Sequence, residues 1–126
     1  MARTRIEIAH RALVLWSDDG RFSVPLAHVV GATANPQALA AWAGHVRREK
    51  PPAMLAGPLA AHATRTREGD WAYWEARDLT RAVAIHLAGE RVARLVVEVD
   101  DPRATAEAIA AALRDVGEVA RSAAAA

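Results

Sequence analysis

Histidine is the residue type in this sequence that most readily performs acid–base chemistry or binds a metal ion near neutral pH. The five histidines are His10, His28, His45, His62 and His86. Their spacing matches neither an HExxH motif nor an HxH pair, so we expect no metal site. His86 lies between Ile85 and Leu87. Side chains alternate along a strand, so His86 should point away from the apolar face that Ile85 and Leu87 share. We therefore expect His86 at an exposed or edge position.

The other residue types that could support catalysis have simpler structural explanations. The paired carboxylates Asp18-Asp19 and Asp100-Asp101 stand where a turn and a helix start are expected, and these roles account for them. Ser17, Ser23 and Ser122 lack the Gly-x-Ser-x-Gly setting of a hydrolase nucleophile. The glycines are scattered and form no loop that could hold a phosphate. We therefore predict no catalytic residue, no cofactor and no enzymatic activity.

Two segments could instead form a binding surface. Their residues are the basic Arg47, Arg48 and Lys50 and the aromatic Trp71, Tyr73 and Trp74. Glu49 and Glu68 dilute the basic charge, so a solvated surface is an alternative to the docking of an acidic peptide or phosphate group. Alternation along a strand separates Trp71 and Tyr73 from Trp74. We expect one set in the core and the other exposed to a partner.

Composition and charge exclude several function classes. The 16 basic and 15 acidic residues give a net charge of +1, which argues against a dedicated nucleic-acid-binding protein. The sequence has no cysteine, no apolar run of signal-peptide type and no run of the roughly 18 apolar residues that a membrane span needs. These features predict a cytoplasmic protein. Lys50 is the single lysine, and the bias towards arginine and alanine indicates a GC-rich bacterial genome.

Short apolar runs predict a chain that is mainly β. The expected strands in the first part are Ile6–Ile8, Leu13–Trp16, Arg21–Val24 and Val29–Ala32. The run Leu13–Trp16 is continuously apolar, which is typical of a strand covered on both faces. A break is expected near His10-Arg11, and Ser17-Asp18-Asp19-Gly20 predicts a tight hairpin turn.

The middle of the sequence is less regular. Asn35-Pro36 is a favourable start for a short helix or helical loop, which Pro51-Pro52 ends. Met54–Thr66 predicts a strand interrupted by Gly57-Pro58, and Trp71–Glu75 predicts an aromatic strand.

The C-terminal part carries the clearest patterns. Val83–Leu87 and Leu95–Val99 alternate in hydrophobicity around a turn at Gly89-Glu90, which predicts a hairpin. Asp101-Pro102 predicts a helix start, and Gly117 predicts its end. The expected apolar stripe of this helix consists of Ala106, Ile109, Ala110, Leu113 and Val116.

The segments Arg21–Val29, Trp71–Glu75 and Arg94–Pro102, taken in this order, resemble a group of short bacterial proteins with pleckstrin-homology-like (PH-like) folds. The resemblance implies a two-sheet barrel of about seven antiparallel strands, closed by one C-terminal helix that plugs an open end. The length predicts one domain, which the resemblance identifies as PH-like over residues 1–120, and we expect a flexible tail at residues 121–126.

The resemblance does not extend to phosphoinositide binding. PH domains with that activity carry several basic residues around the first hairpin, where this chain offers His10-Arg11. We therefore expect a non-catalytic binding or assembly module that engages a protein, a peptide or another copy of itself, and no nucleic acid or membrane. The alternative is a small ligand-binding barrel or an enzyme that uses clustered histidines and tryptophans. It requires at least two histidines to converge with a carboxylate in one pocket.

Overall fold

The computed structural model describes residues 4–18, 20–43, 47–48, 63–66 and 69–125 of the chain. The strands are β1 (Arg5–Ala9), β2 (Ala12–Ser17), β3 (Gly20–Pro25), β4 (Val29–Thr33), β5 (Arg47–Arg48), β6 (Ala63–Arg65), β7 (Trp71–Glu75), β8 (Ala82–Leu87) and β9 (Arg94–Glu98). The helices are α1 (Pro36–Ala43) and α2 (Pro102–Ala125). The prediction of a mainly β fold with a C-terminal helix is confirmed.

Two consecutive hairpins build the three-stranded sheet, which has the order β1-β2-β3. His10 and Arg11 form the first turn, between β1 and β2. Their φ angles are 53° and 62°, and a type I′ turn requires positive values at both positions. At the second turn Ser17 pairs with Gly20. Both turn positions predicted from the sequence are therefore confirmed.

One face of the three-stranded sheet is buried and the other is open. Leu13 and Leu15 are buried, whereas Trp16 exposes 37% of its surface. The expectation that β2 is covered on both faces is therefore wrong. Among the described residues, the layers that pack on this sheet lie on its inner face only.

The six-stranded sheet has the order β4-β8-β9-β7-β6-β5. Its central hairpin pairs Val83 with Val97 and Ile85 with Leu95, as the alternation predicts. β7 pairs with β9 in parallel, so the expectation of antiparallel pairing throughout is wrong for this pair. The reason is that β9 returns antiparallel to β8 and inserts between β8 and β7.

The two sheets form separate layers around the larger apolar cluster. No strand pairing joins them among the residues described, so no closed barrel is formed there. The buried members of the cluster come from both sheets and from α2: Leu13, Leu15, Phe22, Val24, Leu26, Val29, Ala63, Tyr73, Val83, Ile85, Leu87, Val92, Leu95, Val97, Val99 and Ile109. α2 lies beside the three-stranded sheet and contacts β4 and β8. The two layers therefore share one face of the six-stranded sheet.

A smaller apolar cluster lies on the opposite face of the six-stranded sheet, beneath α1. Its buried members are Leu39, Trp74, Ala82, Ala84 and Val96. Asn35 begins α1 as predicted, because its Oδ1 accepts a hydrogen bond from the backbone N–H of Gln37 at 2.9 Å. Leu39 and Trp42 are three residues apart and face the sheet together. The centre of this sheet is consequently covered on both faces.

The segment after α1 is described in part. The helix ends at Ala43, and Arg47 and Arg48 pair with β6 as a strand, which the sequence pattern did not predict. The predicted strand Met54–Thr66 is described only at its end, where β6 pairs with β7. The remainder of that prediction lies outside the described residues.

Asp101 caps α2 as predicted. Its Oδ1 accepts a hydrogen bond from the backbone N–H of Ala104 at 3.0 Å, and its charge complements the positive end of the helix. Ile109 is fully buried in the larger cluster. Ala110 is exposed, however, and Ala112 packs against the core instead. The predicted stripe is therefore wrong at Ala110.

α2 continues through Gly117 to Ala125, so the predicted end at Gly117 is wrong. An internal glycine weakens a helix by about 1 kcal/mol but ends it only when the chain leaves the helical conformation there. The expected tail at residues 121–126 is helical as far as Ala125, and its flexibility stays a prediction.

Candidate functional site

The predicted basic surface is described only in part. Arg47 and Arg48 form β5 at one edge of the six-stranded sheet, where they pair with Arg65 and Thr64. Lys50 lies outside the described residues. The role of these residues in binding stays a prediction.

The aromatic residues of β7 are all packed. Tyr73 is buried between the sheets, and its hydroxyl donates to Oε2 of Glu75 at 2.6 Å. Trp74 is buried beneath α1. Trp71 is half-buried beside the larger cluster, and Cζ of Arg65 lies 5.5 Å from its ring centre. The expectation of an exposed aromatic face on β7 is wrong, because layers cover both faces of the sheet.

His86 lies in a polar cluster on the outer face of the six-stranded sheet. Its Nδ1 is 3.3 Å from Nε of Arg94, and its Nε2 is 2.9 Å from Oγ1 of Thr33. Trp42 meets the imidazole edge-on with the ring centres 5.4 Å apart, and Cζ of Arg94 lies 4.0 Å from the Trp42 ring centre. Alternation directs His86 to this face as predicted. The expected exposed or edge position is wrong, because α1 covers the face.

These hydrogen bonds fix the protonation state of His86. The Nε–H of Arg94 can only donate, so Nδ1 of His86 is the acceptor and Nε2 carries the proton that is donated to Thr33. Burial, and after it the charge of Arg94, lowers the pKa of His86 below its ordinary value of 6.5. Both ring nitrogens are occupied, so this histidine holds α1 and the sheet together and is not placed to transfer a proton.

His28 forms a separate pair with Glu90, in which Nδ1 lies 2.6 Å from Oε2. A carboxylate orients an imidazole in this way in many catalytic and metal sites. His28 and His86 share no hydrogen-bonding partner, and His45 and His62 lie outside the described residues. Over the ranges that the structure describes, no group of three His, Asp or Glu side chains could hold a metal ion.

β1 is an edge strand that borders a groove lined by both apolar and polar residues. It pairs with β2 on one side, and no described strand pairs with its other side. The groove between β1 and α2 has a volume of about 240 Å³. It is lined by Ile6, Ile8, Asp101, Ala104, Thr105, Ala108 and Ile109. The alanines of α2 leave this space open, because their side chains are small.

The hairpin geometry determines which backbone groups of β1 point to its open edge. In a two-residue turn the flanking pair, here Ala9 and Ala12, exchanges hydrogen bonds. Backbone groups alternate along a strand, so those of every second residue back to Arg5 also face β2. The N–H and C=O groups of Ile6 and Ile8 therefore point to the open edge, where a further strand could pair with them.

A cross-strand row of three side chains lies on the exposed face of the same sheet. Trp16 pairs with Arg5 on one side and with Arg21 on the other. The Cζ atoms of these arginines lie 5.5 and 5.4 Å from the Trp16 ring centre, within the range of cation–π contacts. No sequence pattern indicated this row, although counting outward from the turns at residues 10–11 and 17–20 places the three residues opposite one another.

The chain matches no protein-family model, no curated protein and no solved structure. Within the described part of the chain, no helix combines the length and the hydropathy that a membrane crossing requires.

Proposed function

We propose that the chain is a non-catalytic binding or assembly module of a bacterial cytoplasm, with a PH-like architecture, and that its partner is a protein, a peptide or another copy of itself. The observation that supports this proposal is the open edge of β1 beside the groove. A partner strand would continue the three-stranded sheet at β1 while its inward side chains fill the groove. In such strand addition, backbone hydrogen bonds provide affinity and the pockets provide specificity.

The spacing of the groove suits an extended partner. Inward side chains of a strand follow one another at about 7 Å. Ala104 and Ala108 are one helical turn apart, which corresponds to about 6 Å along α2. Both alanines are exposed and line the groove. Two successive inward side chains of a partner can therefore each contact one alanine.

The PH-like part of the proposal is supported by two β layers followed directly by a C-terminal helix. The parallel pairing of β7 with β9, and the position of α1 on the outer face, depart from the expected arrangement. The binding proposal does not depend on this relationship, because it uses only β1 and α2.

A pair of arginine substitutions tests the binding proposal. Ala104→Arg combined with Ala108→Arg fills the groove from exposed helix positions. Ala110→Arg is the matched control, since Ala110 is exposed on the same helix and does not line the groove. All three proteins should unfold at similar temperatures in circular dichroism, which shows that the fold is kept.

The probe is a random linear peptide library displayed on phage, followed by fluorescence polarisation with the selected peptides. We expect the double variant to bind at least about tenfold more weakly and the control to change affinity by less than about twofold. Equal effects of the two variants would place the binding site elsewhere. A chain that selects no peptide and is also strictly monomeric would contradict the proposal.

The alternative of a ligand-binding barrel or an enzyme is not favoured by a specific contact. His28 pairs with Glu90, and His86 uses both ring nitrogens for Arg94 and Thr33. The two histidines thus serve separate structural contacts, and we retain the binding module as the proposed function.

A further inference from the structure

We propose that the strand added at β1 is β1 of a second copy of this chain, in a two-fold symmetric dimer centred on Ile6. This inference rests on the proposed function, because it uses the same edge and the same groove. The dimer would join the two three-stranded sheets into one continuous antiparallel sheet.

The charges of β1 are complementary to themselves in this arrangement. When Ile6 lies opposite the partner's Ile6, Arg5 lies opposite the partner's Glu7, and the reverse pair forms by symmetry. Moving the two-fold axis by one residue places either Arg5 opposite Arg5 or Glu7 opposite Glu7. Opposite charges on facing strands stabilise the pairing and like charges weaken it. The sequence Arg5-Ile6-Glu7 therefore selects one register.

The exposure of these side chains allows the cross-strand contacts. The side chains of Arg5 and Glu7 are 71% and 52% exposed, and their closest approach within the chain is 4.0 Å. This loose contact does not bury either charge. The guanidinium of Arg5 lies over the Trp16 ring, which keeps the cation on the outer face of the sheet. The partner's Glu7 would lie on the same face in the dimer.

The backbone favours the same register. The N–H and C=O groups of Ile6 and Ile8 point to the open edge, and Ile6 opposite the partner's Ile6 forms a hydrogen-bonded pair on the symmetry axis. Ile8 then lies opposite the partner's Thr4, the buried residue that precedes β1. Arg5 and the partner's Glu7 form the intervening non-hydrogen-bonded pair, in which side chains approach more closely. Backbone pairing and charge pairing are thus satisfied together.

The inward side chains fit the groove. Residues that are directly opposite in a sheet point to the same face, so the partner's Ile6 would lie opposite Ile6, over the groove beside α2. Ala104 and Ala108 present only methyl groups there. The dimer would therefore cover apolar surface that the single chain leaves open.

The other described sheet edges are less suited to strand addition. β4 has a bulge between Val29 and Gly31 and contacts α2, β5 has two residues, and β3 ends on Pro25. Bulges, short strands and prolines are features that protect edges from pairing. β1 has five residues and contains no proline, glycine or lysine.

Charge reversal tests the register. Arg5→Glu alone or Glu7→Arg alone opposes like charges in the symmetric dimer, and each should weaken association by about tenfold or more. An equimolar mixture of the two variants restores both opposite-charge pairs and should form a heterodimer. The double variant Arg5→Glu/Glu7→Arg should dimerise like the original chain. Analytical ultracentrifugation distinguishes these states from the 13.5 kDa monomer.

A cysteine cross-link tests the symmetry axis independently. The sequence has no cysteine, so Ile6→Cys introduces a single thiol. The Cα atoms of a hydrogen-bonded pair are about 5.5 Å apart, which a disulfide can span. Mild oxidation should therefore link Ile6→Cys into a covalent dimer. The matched variant Ile8→Cys, which faces the partner's Thr4, should link at least about tenfold more slowly.

Two results separate this inference from the proposed function. A chain that stays monomeric at millimolar concentration, or variants that form no heterodimer when mixed, would overturn the dimer. If such a chain still binds selected peptides through the groove, the proposed function stands without it. Loss of both self-association and peptide binding would overturn both.

Discussion

The first hairpin is held by a turn whose residues are poorly suited to it, and correcting them should stabilise the fold. His10 and Arg11 both have positive φ angles, a conformation that costs an ordinary residue about 1 kcal/mol. Asn at the first position and Gly at the second are the preferred residues of a type I′ turn. The glycine also makes the unfolded chain more flexible, which lowers the free energy of unfolding by about 0.5–1 kcal/mol. We therefore expect His10→Asn with Arg11→Gly to raise the free energy of unfolding by about 1 kcal/mol.

Urea and thermal denaturation followed by circular dichroism measure this gain. The expected increase in Tm is about 4 °C, with an unchanged m value. The backbone N–H of Leu26 donates to the carbonyl of Arg11 at 2.9 Å, and the substitutions leave that contact intact. Arg11→Ala is the control, because alanine removes the side chain without relieving the backbone strain. A double variant no more stable than this control would refute a type I′ turn at these residues.

Three further substitutions test helix packing and the histidine cluster. Ile109→Ala should lower the free energy of unfolding, measured in urea, by about 3 kcal/mol because Ile109 is fully buried. Ala110→Ser at the exposed neighbouring position should change it by less than about 0.5 kcal/mol. Equal losses would show that α2 does not direct Ile109 into the core. Gly117→Ala should stabilise by about 1 kcal/mol, and a loss would indicate that the helix ends there. The pKa of His86 is lower in the folded chain than in the unfolded chain, so His86 is protonated first in the unfolded chain as the pH falls. The free energy of unfolding should therefore decrease as the pH drops through 6.5. His86→Gln should reduce the change of the urea midpoint with pH between pH 7.5 and pH 5. An unchanged pH dependence would contradict a half-buried neutral imidazole at His86.

Local signals in the sequence predicted the hairpins and caps. The turn at residues 17–20, the alternation of Val83–Leu87 and the capping residues Asn35 and Asp101 all depend on neighbouring residues, and each is confirmed by the pairing or by a hydrogen bond. Such patterns are readable because turn geometry and helix capping require particular residue types at fixed positions.

Long-range arrangements were not predictable from those signals. Alternation placed His86 correctly on the face opposite Ile85, but its burial depends on α1, which lies far away in the sequence. Trp74 is buried for the same reason. The parallel pairing of β7 with β9 depends on a strand inserted from outside the local segment, and no period in Trp71–Glu75 encodes it.

The proposed binding edge combines a local and a non-local feature, and the turn at His10-Arg11 connects them. The two-residue turn sets the register of β1 against β2, so it decides that Ile6 and Ile8 face inward and direct their backbone groups to the open edge. A slip of one residue would expose both isoleucines and bury the charges of Arg5 and Glu7. The register that completes the core is therefore also the register that leaves Arg5 and Glu7 exposed to select a partner strand.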